Sequence, residues 1–394
     1  MTFWAGQTIS VFGSVVGIAA MGFTAIALHA TAVQMSLLSA ARLAAGFLVG
    51  LPAGAWIDRL RRRPILIGAD IGRALLLATI PVAAIFGRLR MEQLYAVTFL
   101  VSILTVFFDI AYHSWLPSLT GRARLIEGNS KLAASASAAE VGGFAIAGWL
   151  VGHFTAPVAL LTDAASFAVS AGSLALIGAP EPQPQPSPEP DMFSEINEGV
   201  RTILHHPLLR AMAACTLTKE FFGGMFGTLV LLYLARDLGF APAILGSIFA
   251  VGGVSSLVGA SSAASLTKRF GTGPAMIGGL ATFGAALFLV PLAGDRTVFA
   301  AILLILQQLG GDCGATVYQI TTTTVRQSVT PDRLLGRVNA GTQILTLGAT
   351  LAGSLVGGFM GDSIGVRTTL LIGASGLILS TLWLIFSPVR RKRM

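Results

Sequence analysis

Short polar loops cut the sequence into successive runs of roughly twenty or more mostly apolar residues, and that pattern restricts the fold more than any motif does. A helix needs about 20 residues, at about 1.5 Å each, to cross roughly 30 Å of hydrocarbon. In lipid every backbone N–H and C=O must be satisfied within the chain, which leaves helices or a closed barrel. Barrel strands are short and alternate in polarity, whereas these runs are long and continuous, so an all-α membrane protein is expected. Charged residues make up 11% of the chain, against about 25% in soluble domains. That is too little polar surface for a water-soluble fold.

The runs predict twelve transmembrane helices near 3–28, 33–57, 64–86, 92–117, 131–154, 157–178, 208–234, 242–266, 273–293, 297–323, 335–361 and 366–387. The first of them reads as a retained span rather than a cleaved leader, since no basic segment precedes it. The net charge of +8 is confined to a few loops, the pattern of topology signals rather than of a nucleic-acid face. With the N-terminus inside, the inner segments hold 18 Lys and Arg and the outer loops five, Arg88, Arg90, Arg236, Arg296 and Arg367. That bias places both termini in the cytoplasm of an inner cell membrane. The Arg-rich, Ala- and Gly-rich usage points to a bacterial source. Cys215 and Cys313 stand alone inside apolar runs and form no metal-binding or disulfide spacing.

The domain expectation is a six-helix bundle over 1–178, a linker over 179–207 and a second bundle over 208–394. Proline at every second position from Pro180 to Pro190 blocks helix and favours stiff, extended chain. Met192, Phe193, Ile196, Val200, Ile203 and Leu204 then recur at helical spacing. They predict an amphipathic helix, lying on the inner membrane surface or solvated as a linker. A shift of 210 residues superposes Pro64 on Pro274, Asn129 on Asn339 and Gly148 on Gly358, an internal repeat of the kind secondary transporters use.

The loop after the second run reads Gly50-Leu-Pro-Ala-Gly54-Ala-Trp-Ile-Asp58-Arg59-Leu-Arg61-Arg62-Arg63-Pro64. It resembles the signature loop of the major facilitator superfamily between helices two and three. The second-half counterpart, Thr267-Lys268-Arg269, lacks the acid. Asp70-Ile-Gly-Arg73, Asp163-Ala-Ala-Ser166-Phe167, and Glu198-Gly199-Val-Arg201 ahead of His206-Pro207 are similar to the branch holding macrolide and enterobactin exporters. The resemblance implies a conformational latch of Gly54, Asp58, Arg59, Arg62, Asp70, Arg73 and Arg122. In it Asp70 and Arg73, sharing a face at the inner end of span three, join Asp58 and Arg122 in a structural network. One departure bears on mechanism: Phe144 follows Gly142-Gly143 where antiporters of the superfamily carry a proline.

Charge inside hydrocarbon is costly and marks function or pairing. The spans contain Arg42, Asp70, Arg73, Asp109, Glu140, Asp163, Lys219, Glu220 and Asp312. Spans one, four, seven and ten line the central cavity in the resembling family, which selects Asp109 with Ser102, Thr105 and Tyr112 or His113. It also selects Lys219 and Glu220 with Thr216, and Asp312 with Gln308 and Gln319. Span one offers Gln7, Ser10, Ser14 and Gly17. Lys219, about 100° around the helix from Glu220, is expected to pair with another acid. Asp163 is assigned to packing as readily as to function.

The leading reading is export of an amphipathic small molecule, drug- or siderophore-like, in exchange for protons by alternating access. Protons, a small-molecule substrate and the bilayer are then the partners, with no cofactor, no metal and a monomeric chain. Glycines at 353, 357 and 361 are assigned to packing within that monomer. Uptake or facilitated diffusion of a small solute has the same topology, and a non-transporting scaffold has the same fold. An enzyme would need a convergent nucleophile and base, and the five histidines have no such partners. No Gly-rich phosphate loop with Lys is present, so ATP is not the direct energy source.

Overall fold

The computed structural model describes residues 2–57, 60–120, 125–177, 192–295 and 297–391. Among them every regular element is helical. The first half holds α1 (Thr2–Ala27), α2 (Ala32–Ile57), α3 (Arg62–Ile85), α4 (Met91–Thr120), α5 (Leu125–His153) and α6 (Ala156–Ala175). After the linker helix α7 (Met192–His205) come α8 (Pro207–Leu232), α9 (Pro242–Phe270), α10 (Thr272–Leu287) and the short α11 (Leu289–Leu292). Then follow α12 (Val298–Val329), α13 (Asp332–Ile364), α14 (Val366–Leu379) and the short α15 (Leu382–Ile385). Twelve helices among the described residues are long and apolar enough to cross a membrane. Ile85, Phe86, Leu176, Val298 and Phe299 stand more than two-thirds exposed, as lipid-facing side chains do and core side chains of soluble proteins do not.

Local chemistry sets several helix ends. Pro207 opens α8, where its missing N–H is no loss, and His206 Nδ1 accepts from the Leu209 N–H at 3.4 Å. Thr297 caps α12 by accepting from the Ala300 N–H at 3.2 Å. Arg63 donates from Nε to Leu174 O (3.2 Å) and from a terminal nitrogen to Ala175 O (2.7 Å). It thereby neutralises the carbonyl end of α6 with a cation, as the helix dipole favours. Tyr233–Asp237 continues α8 as one π-helical turn.

Contacts divide the chain into two compact units: Met1–Ala30 with Leu37–Pro190 and Ala241–Ala250, and Thr31–Ser36 with Asp191–Phe240 and Val251–Met394. In the first unit α1 packs on α6 and α5, and α3 on α6 and α4. The start of α9 crosses α5 where Gly148 and Gly246 meet: a Cβ on Gly148 would lie 2.8 Å from the Gly246 Cα. In the second unit α8 packs on α13 and α14, and α10 on α12. Gly358 of α13 meets Ser36 in the same way, and the Asp362 carboxylate caps α2 by accepting from the Ala32 (2.9 Å) and Val33 (3.1 Å) N–H groups. Gly148 with Gly246 and Gly358 with Ser36 are related by the same 210-residue shift. So are His29 and Gly239, both with positive φ (57° and 70°) in the turns after α1 and α8.

The linker helix is docked on one side against protein. It lies on α13, with Gly199 against the Arg337 carbonyl, Gly341 against Val200, and Glu198 paired with Arg337. Ile203 is buried with Leu209 and Val338. Gly199 and Gly341 bring the two backbones close, so that Val200 and Ile203 pack on protein, while Leu204 is 54% exposed. Pro180 to Pro190 lie outside the described residues.

Candidate functional site

In the first unit the polar groups converge on Arg73. Asp70 and Arg73 lie eight and eleven residues beyond Arg62, the first residue of α3, which puts them near mid-span rather than at the inner end. They form an ion pair on one helix face, and both are buried, 0% and 4% exposed. The guanidinium is held between two rings, 4.3 Å from the Phe108 centroid on α4 and 4.1 Å from Phe167 on α6. A nitrogen of Arg73 also reaches Thr105 Oγ1 at 3.4 Å. Asp163, 6% exposed, interacts electrostatically with Arg73 and accepts from the Ser14 hydroxyl at 3.3 Å. Asp109 reaches Arg73 electrostatically from α4 and is itself exposed. Tyr112 stacks on Phe108 at 6.2 Å. Asp163 therefore belongs with Asp70 and Arg73, which its position in the sequence did not suggest.

Span one behaves differently from its expected cavity-lining role. Gln7 and Ser10 are buried; Gln7 Nε2 donates to Ser170 Oγ (3.0 Å) and Ser14 to Asp163. The cause is a glycine stripe on α1: Gly6, Gly13 and Gly17 face Ser173, Ser166 and Asp163 of α6 so closely that no Cβ fits. The polar side chains beside that stripe are thereby turned toward α6.

The second unit carries two separate groups. Lys219 and Glu220 pair with each other at 2.5 Å, 21% and 24% exposed, contrary to the expectation that Lys219 seeks another acid. Their long side chains curl back across the angle that separates their Cα–Cβ bonds. Thr350 Oγ1 donates to Glu220 Oε2 at 3.3 Å, and Lys219 Nζ lies 5.8 Å from the Tyr318 ring centroid. Tyr318 in turn meets Thr216 (3.5 Å) and Cys215 (3.6 Å). Asp312 and Gln308 press instead on Gly252 of α9, where a Cβ would lie 2.5 Å from Gln308 Nε2. Gln319 is exposed two turns farther along α12.

Of the expected latch, Arg62 and Gly54 lie on α3 and α2, while Asp58, Arg59 and Arg122 lie outside the described residues. The glycines at 353, 357 and 361 pack α13 on α8 within the second unit; a Cβ on Gly357 would lie 2.7 Å from the Met225 Cα.

Known proteins agree with this architecture. The family model "Major Facilitator Superfamily" matches residues 3–345 and 212–393. The uncharacterized MFS-type transporter YfiS of Bacillus subtilis (strain 168) is 26% identical over 391 residues, covering 96% of this chain and 90% of YfiS. The multidrug efflux pump Tap of Mycolicibacterium fortuitum is 25% identical over 355 residues, covering 87% and 84%. Among solved structures, a bacterial homologue of the iron transporter ferroportin shares the fold with a TM-score of 0.77 at 17% identity, over 98% of this chain and 97% of that one. The nucleoside transporter NupG does so with a TM-score of 0.75 at 15% identity, over 98% of each chain. With its length matched almost throughout and its spans helical, the chain belongs to the Major Facilitator Superfamily of membrane transporters.

Proposed function

We propose that this chain exports an amphipathic small molecule across the inner cell membrane in exchange for protons, by alternating access, with both termini cytoplasmic. The carrying observation is Glu220. It sits near the middle of α8, partly exposed, with Lys219 and Thr350 as partners. Charge at that depth is expensive and is retained where it binds or exchanges something. Glu220, itself partly exposed, can exchange Lys219 for a cationic group of the substrate without leaving a deeply buried charge unpaired. Asp109 and Asp312 are the corresponding acids on α4 and α12. The likeness to Tap, an efflux pump, favours the outward direction, as do the stretches resembling macrolide and enterobactin exporters.

The test is drug and siderophore accumulation in cells stripped of their own pumps, with and without a proton uncoupler. Wild type should lower accumulation and the uncoupler should abolish that effect. Glu220→Gln at equal expression should lose at least about tenfold in export, equivalent to ~1.4 kcal/mol. Accumulation that rises with expression would replace export by uptake.

A further inference from the structure

Asp70, Arg73 and Asp163 hold more charge than their surroundings tolerate. With every group ionised, two carboxylates share one guanidinium, all three at most 6% exposed. One net negative charge is then left in a nearly dry site, where an uncompensated ion costs several kcal/mol. Arg73 is 4% exposed and its guanidinium lies over the Phe108 and Phe167 rings, so it cannot turn out to water to adjust the balance. Nor is the network saturated. Arg73 Nε is buried with no hydrogen-bond partner among the described residues, and besides Arg73 the Asp70 carboxylate is approached by the neutral Ser170 hydroxyl.

The neighbouring elements offer little to compensate. The described part of α1 brings only neutral groups, Gln7 and Ser14. From α4 come Thr105, Tyr112 and the acid Asp109, which shares Arg73 from the exposed side. From α5, Glu140 is exposed. Besides Asp163, α6 adds Ser166 and Ser170. No second cation reaches the cluster among the described residues.

We propose that the Asp70–Arg73–Asp163 cluster holds one exchangeable proton, and that its gain and loss is the proton step of the transport cycle. The second clause rests on the proton-coupled reading above; the first does not. The proton comes from a hydronium ion, whose O–H bond breaks as one carboxylate oxygen gains the proton, leaving water, a neutral carboxylic acid, one carboxylate and one guanidinium. No other bond changes. On deprotonation the extra negative charge redistributes around a fixed Arg73, and the exposed Asp109 feels the change through that shared cation. Gly13 and Gly17 keep α1 directly against the acid, so the same event alters the α1–α6 contact.

Infrared difference spectra of the purified full chain in lipid nanodiscs, taken between about pH 5 and 9 in H2O and D2O, test this directly. The expected result is a carboxylic C=O band of about one group per chain that titrates in this range and shifts in D2O. Asp163→Asn should remove it. Asp70→Asn should displace or remove it, because coupled acids titrate as a unit. Asp332→Asn, at the exposed start of α13, should leave it intact. A wild-type spectrum without the band overturns the proposal whether or not the variants fold, and so does a band that survives both substitutions. A band that behaves as expected in a chain whose drug accumulation ignores the uncoupler upholds the proton site and overturns its coupling to export.

Discussion

Asp163 owes its burial to residues on another helix. Gly13 and Gly17 leave the space on α1 into which Ser166 and Asp163 fit, and Ser14, beside them, donates to the carboxylate. Gly17→Val would drive two methyl groups into that carboxylate. Overpacking of this kind costs typically 1–3 kcal/mol, so the purified variant should melt several degrees below wild type. An unchanged melting curve would mean that the α1–α6 contact is looser than described. The acids themselves were visible in the sequence, as was the Asp70–Arg73 pairing, because three-residue spacing fixes a shared helix face. That Asp163 joins them was not visible. Nothing in the sequence says which face of α6 meets α3, and the ring of Phe167, one turn from Asp163, reads in sequence as ordinary packing.

The linker helix α7 separates two energies that look alike on paper. Its Glu198–Arg337 pair is exposed, and exposed pairs contribute about 0–1 kcal/mol. Ile203 is buried against Leu209 and Val338, and truncating such a side chain to alanine costs about 2–5 kcal/mol. Ile203→Ala should therefore lower the melting temperature clearly while Glu198→Ala leaves it nearly unchanged; thermal unfolding in detergent compares them. Equal effects would contradict the burial assigned to α7. The periodic apolar face announced a helix here, but a free membrane-surface helix and a docked one have the same periodicity. Gly199 and Gly341 decide between them only as a pair, 142 positions apart, and that pairing exists only in the folded chain.

The distribution of Lys and Arg over the whole chain, 18 in one set of loops against five in the other, predicts that both ends face the cytoplasm. An alkaline phosphatase fused after Met394 should be inactive and a fluorescent protein there should fluoresce. The reverse result would invert the topology and with it the transport direction proposed here. The 210-residue repeat extends the same reasoning to geometry. It relates the Gly148–Gly246 crossing to Gly358–Ser36, yet at the latter the Asp362 carboxylate also holds the α2 N-terminus, while Gly152 stands at the equivalent place on α5. Asp362→Ala should thus weaken only the second of two related crossings. Hydrogen exchange should rise at Ala32 and Val33 and stay unchanged at Ala243.

The sequence by itself determined the twelve spans, the loop that carries the family resemblance and the repeat, because hydrocarbon thickness and backbone hydrogen bonding depend on local runs of residues. It also supplied the list of intramembrane charges. Only the tertiary structure decided their partners: Lys219 with Glu220, Asp163 with Arg73, and Asp312 and Gln308 with Gly252. A span's composition reports that it is buried in a membrane. Which of its faces meets which neighbour depends on close packing between residues far apart in the chain, and here glycines, invisible as chemistry, set those approaches.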